Sequence, residues 1–125
     1  MKVDFYYKGA LSSYKVFKDL VKKHVQEKIP KYEINYIPVE DEESAKRFRV
    51  PGLPTVRFNG RDIEKEKRFL REFNDKDRKY RHSDGREKDY PPEEMVIEAI
   101  TEYINDSATF HIEVKGAKKG DTPIC

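Results

Sequence analysis

The sequence predicts one α/β domain: a central mixed sheet of four strands with flanking helices, a charged insertion, and an extra strand near the C-terminal end. Three observations predict it. Segments of period-two alternation trade places with segments of helical period through the first half of the chain. The first two strand-like segments are joined through a helix, which demands a parallel, right-handed crossover. Asn59-Gly60 sits between two short β-favouring runs and marks a hairpin, because a type I′ turn needs positive φ at both central residues.

The elements follow in order. Lys2 to Tyr7 places Val3, Phe5 and Tyr7 on one face of a strand, and Lys8-Gly9 ends it. Ser12 or Ser13 is suited to cap a helix by accepting from free first-turn N–H groups. Tyr14, Phe17, Leu20, Val21 and Val25 then recur at helical spacing, which predicts an amphipathic helix from Ser13 to Glu27, stopped by Pro30. Tyr32 to Val39 alternates again and is expected near the centre of the sheet if both its faces are covered. Asp41-Glu42-Glu43 opens a short helix and Lys46, Arg47 and Arg49 close it, the charge order a helix dipole favours. Pro51-Gly52 punctuates the chain, Pro54 starts a strand, and Thr55 to Phe58 continues it to the turn. Arg61 to Ile63 returns.

Residues 64–89 form the charged insertion. Phe69, Leu70 and Phe73 suggest a short amphipathic helix, and Asp84-Gly85 suggests a small ribbon. Pro91-Pro92-Glu93-Glu94 begins the last main helix, with Val96, Ile97, Ile100, Tyr103 and Ile104 as its buried stripe and Asn105-Asp106 as its end. Phe110, Ile112 and Val114 alternate with Thr109, His111 and Glu113, which predicts a strand, and a polar tail follows. The domain is expected over 1–106, with 107–125 as C-terminal strand and tail. Were Phe110–Val114 an exposed sheet edge, a second copy of the chain would be its natural partner.

Charged residues make up 40% of the 125, yet the net charge is only +2, so both signs are interspersed and nucleic acid is not the expected partner. The Lys, Glu and Arg content, one Cys and no Trp lean towards a thermophile. No apolar run is long enough to span a membrane and the N-terminus opens directly into a strand, so a cytoplasmic location is expected. One cysteine, Cys125, excludes an intrachain disulfide, and one Cys with three scattered His gives no metal site.

Gly52-Leu53-Pro54-Thr55, followed by a hairpin turning at Asn59-Gly60, resembles the second half of a thioredoxin-fold domain, closest to small archaeal and bacterial glutaredoxin-like proteins. The likeness covers Lys2 to Ile63 and resumes at Pro91 to Ile104. It implies a cis bond before Pro54. It also implies a Cys-x-x-Cys pair at the start of the first helix, where the helix dipole would favour a thiolate. Here Ala10 falls at the first cysteine position and Ser13 at the second, and no register supplies a thiol. Dithiol chemistry by this chain alone is therefore excluded. The resemblance then implies a groove beside Pro54, holding an extended peptide or a small thiol against Ser12, the Leu53 backbone, Pro54 and Thr55, with no cofactor.

Three functional readings follow. The first is a redox-inactive thioredoxin-fold binding or scaffold module. The second is a thiol-disulfide oxidoreductase-type protein acting through Cys125 or an external thiol. The third is an RNA-associated protein using the basic and aromatic residues of Lys65 to Arg81, a run diluted by Glu66, Glu72, Asp75 and Asp77. His24, His82 and His111 lie on separate elements, so a serine hydrolase is not suggested.

Overall fold

Lys2–Tyr7 forms β1, and its alternation decides what packs on each side of the sheet. The computed structural model describes residues 1–9, 13–26 and 28–118, with 107–118 as backbone only. Val3 and Phe5 enter the larger apolar cluster, together with Phe17, Val21 and Val25 of α1 (Tyr14–Val25). Tyr6, on the opposite face, joins a smaller cluster of Val39, Ala45, Val50 and Leu53. Each fully buried side chain of this size contributes about 1.5–3 kcal/mol over leaving it exposed, so the two clusters fix the register of β1 from both faces.

β2 (Glu33–Pro38) pairs with β1 in parallel, from Lys2 opposite Glu33 to Tyr7 opposite Pro38. The expectation that this strand lies near the centre is corrected: β2 is an edge strand and Tyr36 is 51% exposed. Its alternation serves a half-covered surface, whereas β1 has apolar residues on both faces. α2 (Glu42–Phe48) is capped by Asp41, whose carboxylate accepts from the Ser44 N–H at 2.8 Å. It ends at Arg49 in the left-handed region, φ 59°. β3 (Pro51–Leu53) leads into β4 (Thr55–Phe58), which runs antiparallel to β1. Asn59 and Gly60, at φ 51° and 83°, turn the chain into β5 (Arg61–Asp62). The sheet order is β2-β1-β4-β5, so the chain is a mixed α/β structure on a four-stranded mixed sheet.

In the insertion the amphipathic helix expected around Phe69, Leu70 and Phe73 is corrected: the helical turn ends at Phe69 and buries no residue. A 3-10 helix (Lys65–Phe69) is followed by β6 (Asn74–Asp77), which pairs in parallel with β3 outside the main sheet. β7 (Tyr80–Arg81) and β8 (Glu87–Lys88) form an antiparallel ribbon about a turn containing Gly85. α3 (Glu93–Lys118) then places Val96, Ala99 and Ile100 in the larger cluster. Lys23 and His24 of α1 both reach the Glu93 carboxylate, at 2.8 and 2.7 Å.

The expected C-terminal strand is also corrected. Phe110–Val114 lies inside α3, which runs through Asn105-Asp106 to Lys118. Asn and Asp cap helices well but stop them poorly without a following Gly or Pro. Extending a formed helix costs far less than starting one, and five alternating residues do not distinguish strand from helix. The strand-to-strand pairing between copies drawn from this segment therefore loses its basis. Among the described residues no helix is long and apolar enough to cross a membrane, and no group of three or more His, Cys, Asp or Glu is placed to hold a metal.

Candidate functional site

The residues singled out beside Pro54 fall into two groups. Ala10, Ser12 and Cys125 lie outside the described residues. Ser13 precedes α1, but its backbone is already helical (φ −88°, ψ −11°), and its side chain makes no capping bond. The cap reading for Ser13 is thus corrected, since a capping hydroxyl reaches its N–H from an extended backbone. The Ser13 carbonyl instead accepts from the Phe17 N–H at 3.2 Å.

Leu53, Pro54 and Thr55 stand together at the junction of β3 and β4, and the Leu53–Pro54 bond is cis. Their polar atoms are engaged by the insertion. The Leu53 carbonyl accepts from the Arg78 N–H at 2.8 Å, and the Asn74 N–H donates to the Val50 carbonyl at 3.0 Å. The Pro54 carbonyl accepts from the Tyr80 hydroxyl at 2.9 Å. Thr55, fully buried, donates from Oγ1 to the Gly52 carbonyl at 2.7 Å and accepts from Arg78 Nη1 at 2.9 Å. Of the groups expected to meet an extended ligand, the Leu53 and Pro54 carbonyls and Thr55 Oγ1 accept from Arg78 and Tyr80 of the same chain. A backbone group so paired is not offered to solvent.

Arg78 is the centre of this closure. Its side chain is 4% exposed, and its two terminal nitrogens reach the two Asp62 oxygens at 2.9 and 2.8 Å. Nη2 also reaches Glu64 Oε1 at 2.8 Å. The guanidinium lies over the Tyr80 ring, 4.7 Å from its centroid. Burial works against the Arg78 charge, but the Asp62 hydrogen bonds, Tyr80 and Glu64 outweigh it and hold the guanidinium more firmly protonated than usual. Burial pushes the Tyr80 hydroxyl far above the ordinary tyrosine range, so it stays a donor. Of the buried side-chain nitrogens and oxygens among the described residues, only Arg78 Nε lacks a partner. Gly52 lets the strands approach: its φ is 134°, and a Cβ there would lie 3.0 Å from Arg78 Cβ and 3.2 Å from the Lys76 carbonyl oxygen. At the rim, Lys8 and Asp75 meet at 2.6 Å, which raises the lysine and lowers the carboxyl from their ordinary values.

Sequence reasoning missed Asp62, Arg78 and Tyr80 as a unit. One weak signal existed: Arg78 and Tyr80 share a face of any extended segment, so a buried Tyr80 carries Arg78 inward with it. No protein-family model matches the chain, and neither the curated proteins nor the solved structures include a match to it.

Proposed function

We propose that the chain is a redox-inactive thioredoxin-fold protein that works by binding rather than by thiol chemistry. The observation that carries this reading is the sheet order β2-β1-β4-β5, with β1 and β2 parallel and β4 antiparallel. α1 and α3 share the core on one face, and α2 packs on the other. The mixed four-stranded sheet with flanking helices that the Gly52-Leu53-Pro54-Thr55 resemblance implies is compatible with this arrangement, which supports the reading. The absence of thiols at positions 10 and 13 supports the non-redox half of the reading. So does the engagement of Leu53, Pro54 and Thr55 within the chain: a loop whose acceptors are already paired makes a poor seat for a substrate disulfide.

The test is dithiothreitol-driven reduction of insulin by wild type, by Cys125→Ser and by Ala10→Cys/Ser13→Cys. Wild type is expected to add nothing to the dithiothreitol background. The double-cysteine variant is expected to lose two free thiols on oxidation, by closing a bond between positions three apart at the helix start. A wild-type rate abolished by Cys125→Ser would replace the reading with thiol chemistry at the terminus. Failure of the engineered disulfide to form would remove the correspondence at Ala10 and Ser13, and the thioredoxin-fold reading with it.

A further inference from the structure

Beside the Arg78–Asp62 pair lies an open groove of about 810 Å³. Its walls are the end of α2, the β4–β5 hairpin and the segment 67–73. Seven of its lining residues are basic and one, Asp62, is acidic. Asp62 is buried and has both oxygens on Arg78, so it does not neutralise the groove. Arg61 and Arg68 are tied to Glu102 at the rim, at 3.2 and 2.9 Å. The other five cations, Arg47, Arg49, Arg57, Lys67 and Arg71, have no carboxylate within salt-bridge distance among the described residues.

Two of these guanidiniums are held against aromatic rings. Arg57 donates to the Arg49 carbonyl at 2.6 Å and stacks on Tyr6, 4.9 Å from the ring centroid. Arg47 lies 5.5 Å from the Phe48 centroid. The apolar part of the lining is unusual in its exposure: Phe69 is 83% exposed and Leu70 42%. A free anion would need the cations but not the phenylalanine. A peptide of acidic residues would likewise leave the Phe69 ring without a partner. A strand of unpaired nucleotides uses both, with phosphates on the guanidinium forks and a base on the aromatic face.

We propose that this groove binds single-stranded nucleic acid, with Arg49, Arg71 and their neighbours on the phosphates and Phe69 as a stacking platform. The inference stands on the groove alone and survives failure of the thioredoxin-fold reading.

Fluorescence anisotropy of a short labelled oligothymidylate tests it, with the same strand annealed to oligoadenylate and a labelled polyglutamate as competing probes. The single strand is expected to bind tightest, with affinity falling steeply with salt. Arg49→Gln/Arg71→Gln should weaken binding and flatten the slope of log affinity against log salt by about 0.7 for each phosphate the variant no longer neutralises. Phe69→Ala should weaken binding roughly tenfold and leave that slope unchanged. Its ring is almost wholly in solvent, so its loss does not threaten the fold. Lys18→Gln/Lys22→Gln, an equal loss of two charges on the exposed side of α1, should do nothing. Four results overturn the proposal: no binding at low salt; equal binding of the duplex; preference for polyglutamate, which makes this an acidic-peptide site; or a loss in Lys18→Gln/Lys22→Gln matching that in Arg49→Gln/Arg71→Gln, which makes the binding diffuse charge attraction.

Discussion

Replacing Arg78 by Met tests how the insertion is fastened to the sheet. The substitution keeps most of the aliphatic stem against Tyr80 and deletes the guanidinium. Asp62, 5% exposed, would lose both side-chain bonds and retain only the Glu64 N–H at 2.9 Å. Thr55 Oγ1 would lose its donor and Glu64 its partner. Breaking a buried ion pair from one side costs about 3–5 kcal/mol, because the surviving charge stays desolvated. Removing the unpartnered Nε returns part of this, on the order of 1 kcal/mol. A net loss of about 2–4 kcal/mol is therefore expected by urea denaturation. Asp62→Leu added to Arg78→Met should recover part of the loss, since the most buried carboxylate is then gone and only the more exposed Glu64 is left without its partner. Amide exchange gives the spatial readout: the Asn74 and Arg78 N–H groups, bonded to Val50 and Leu53, should open before those of β1. A loss under about 1 kcal/mol, or a double variant worse than the sum of its parts, would refute the argument that a buried ion pair holds β6 to β3.

Gly52→Ala should destabilise by about 1–3 kcal/mol, because φ is 134° and the new Cβ would crowd the Lys76 carbonyl oxygen as well as Arg78; the thermal midpoint reads it. Tyr80→Phe keeps the ring under Arg78 but leaves the Pro54 carbonyl without its donor, an expected loss of about 1–2 kcal/mol by the same denaturation. The Glu102 carboxyl is held below its ordinary 4.5, chiefly by the hydrogen bond from Arg68. A depressed carboxyl contributes stability that is complete above 4.5 and is lost as pH falls through its lower folded value. Acid titration of Glu102→Gln should thus show a shallower loss below that pH than wild type.

What was legible in the sequence is what local chemistry dictates. β1, α1, α2 and the Asn59-Gly60 hairpin each carry their own periodicity or cap, and the structure places them within two residues of expectation. β6 carried no such signal. Asn74-Asp75-Lys76-Asp77 is poor β-forming chemistry, and it becomes a strand only because Val50 and Leu53 present unpaired backbone at a glycine that permits close approach. The helical state of 110–114 was illegible for the opposite reason. Its local pattern favoured a strand, and continuity with a helix already anchored by Val96 and Ile100 overrode it.

Charge was the property the linear reading handled worst. Counted along the chain, Glu66, Glu72, Asp75 and Asp77 dilute the basic run from Lys65 to Arg81, so that RNA association stands only third among the readings. Folding sorts them. Lys67, Arg68 and Arg71 line the groove, whereas Glu66 and Glu72 do not; Asp75 is engaged by Lys8, across β6. The dipole of α2 accounts for Arg47 and Arg49 at its C-terminal end, where a cation gains roughly 0.3–1 kcal/mol. It does not account for bringing Arg57, Lys67 and Arg71 to the same groove from two other elements. Like charges gathered in one groove repel, by about 1 kcal/mol per pair in water were they 4 Å apart, and this chain has 24 acidic residues from which to relieve them. The bond to the Arg49 carbonyl and the stacking on Tyr6 give Arg57 a structural role, but the side chains of Lys67 and Arg71 have no hydrogen-bond or ion-pair partner among the described residues, and Phe69 beside them is left in solvent. A polyanion with a flat face would remove the repulsion and cover the ring in one step.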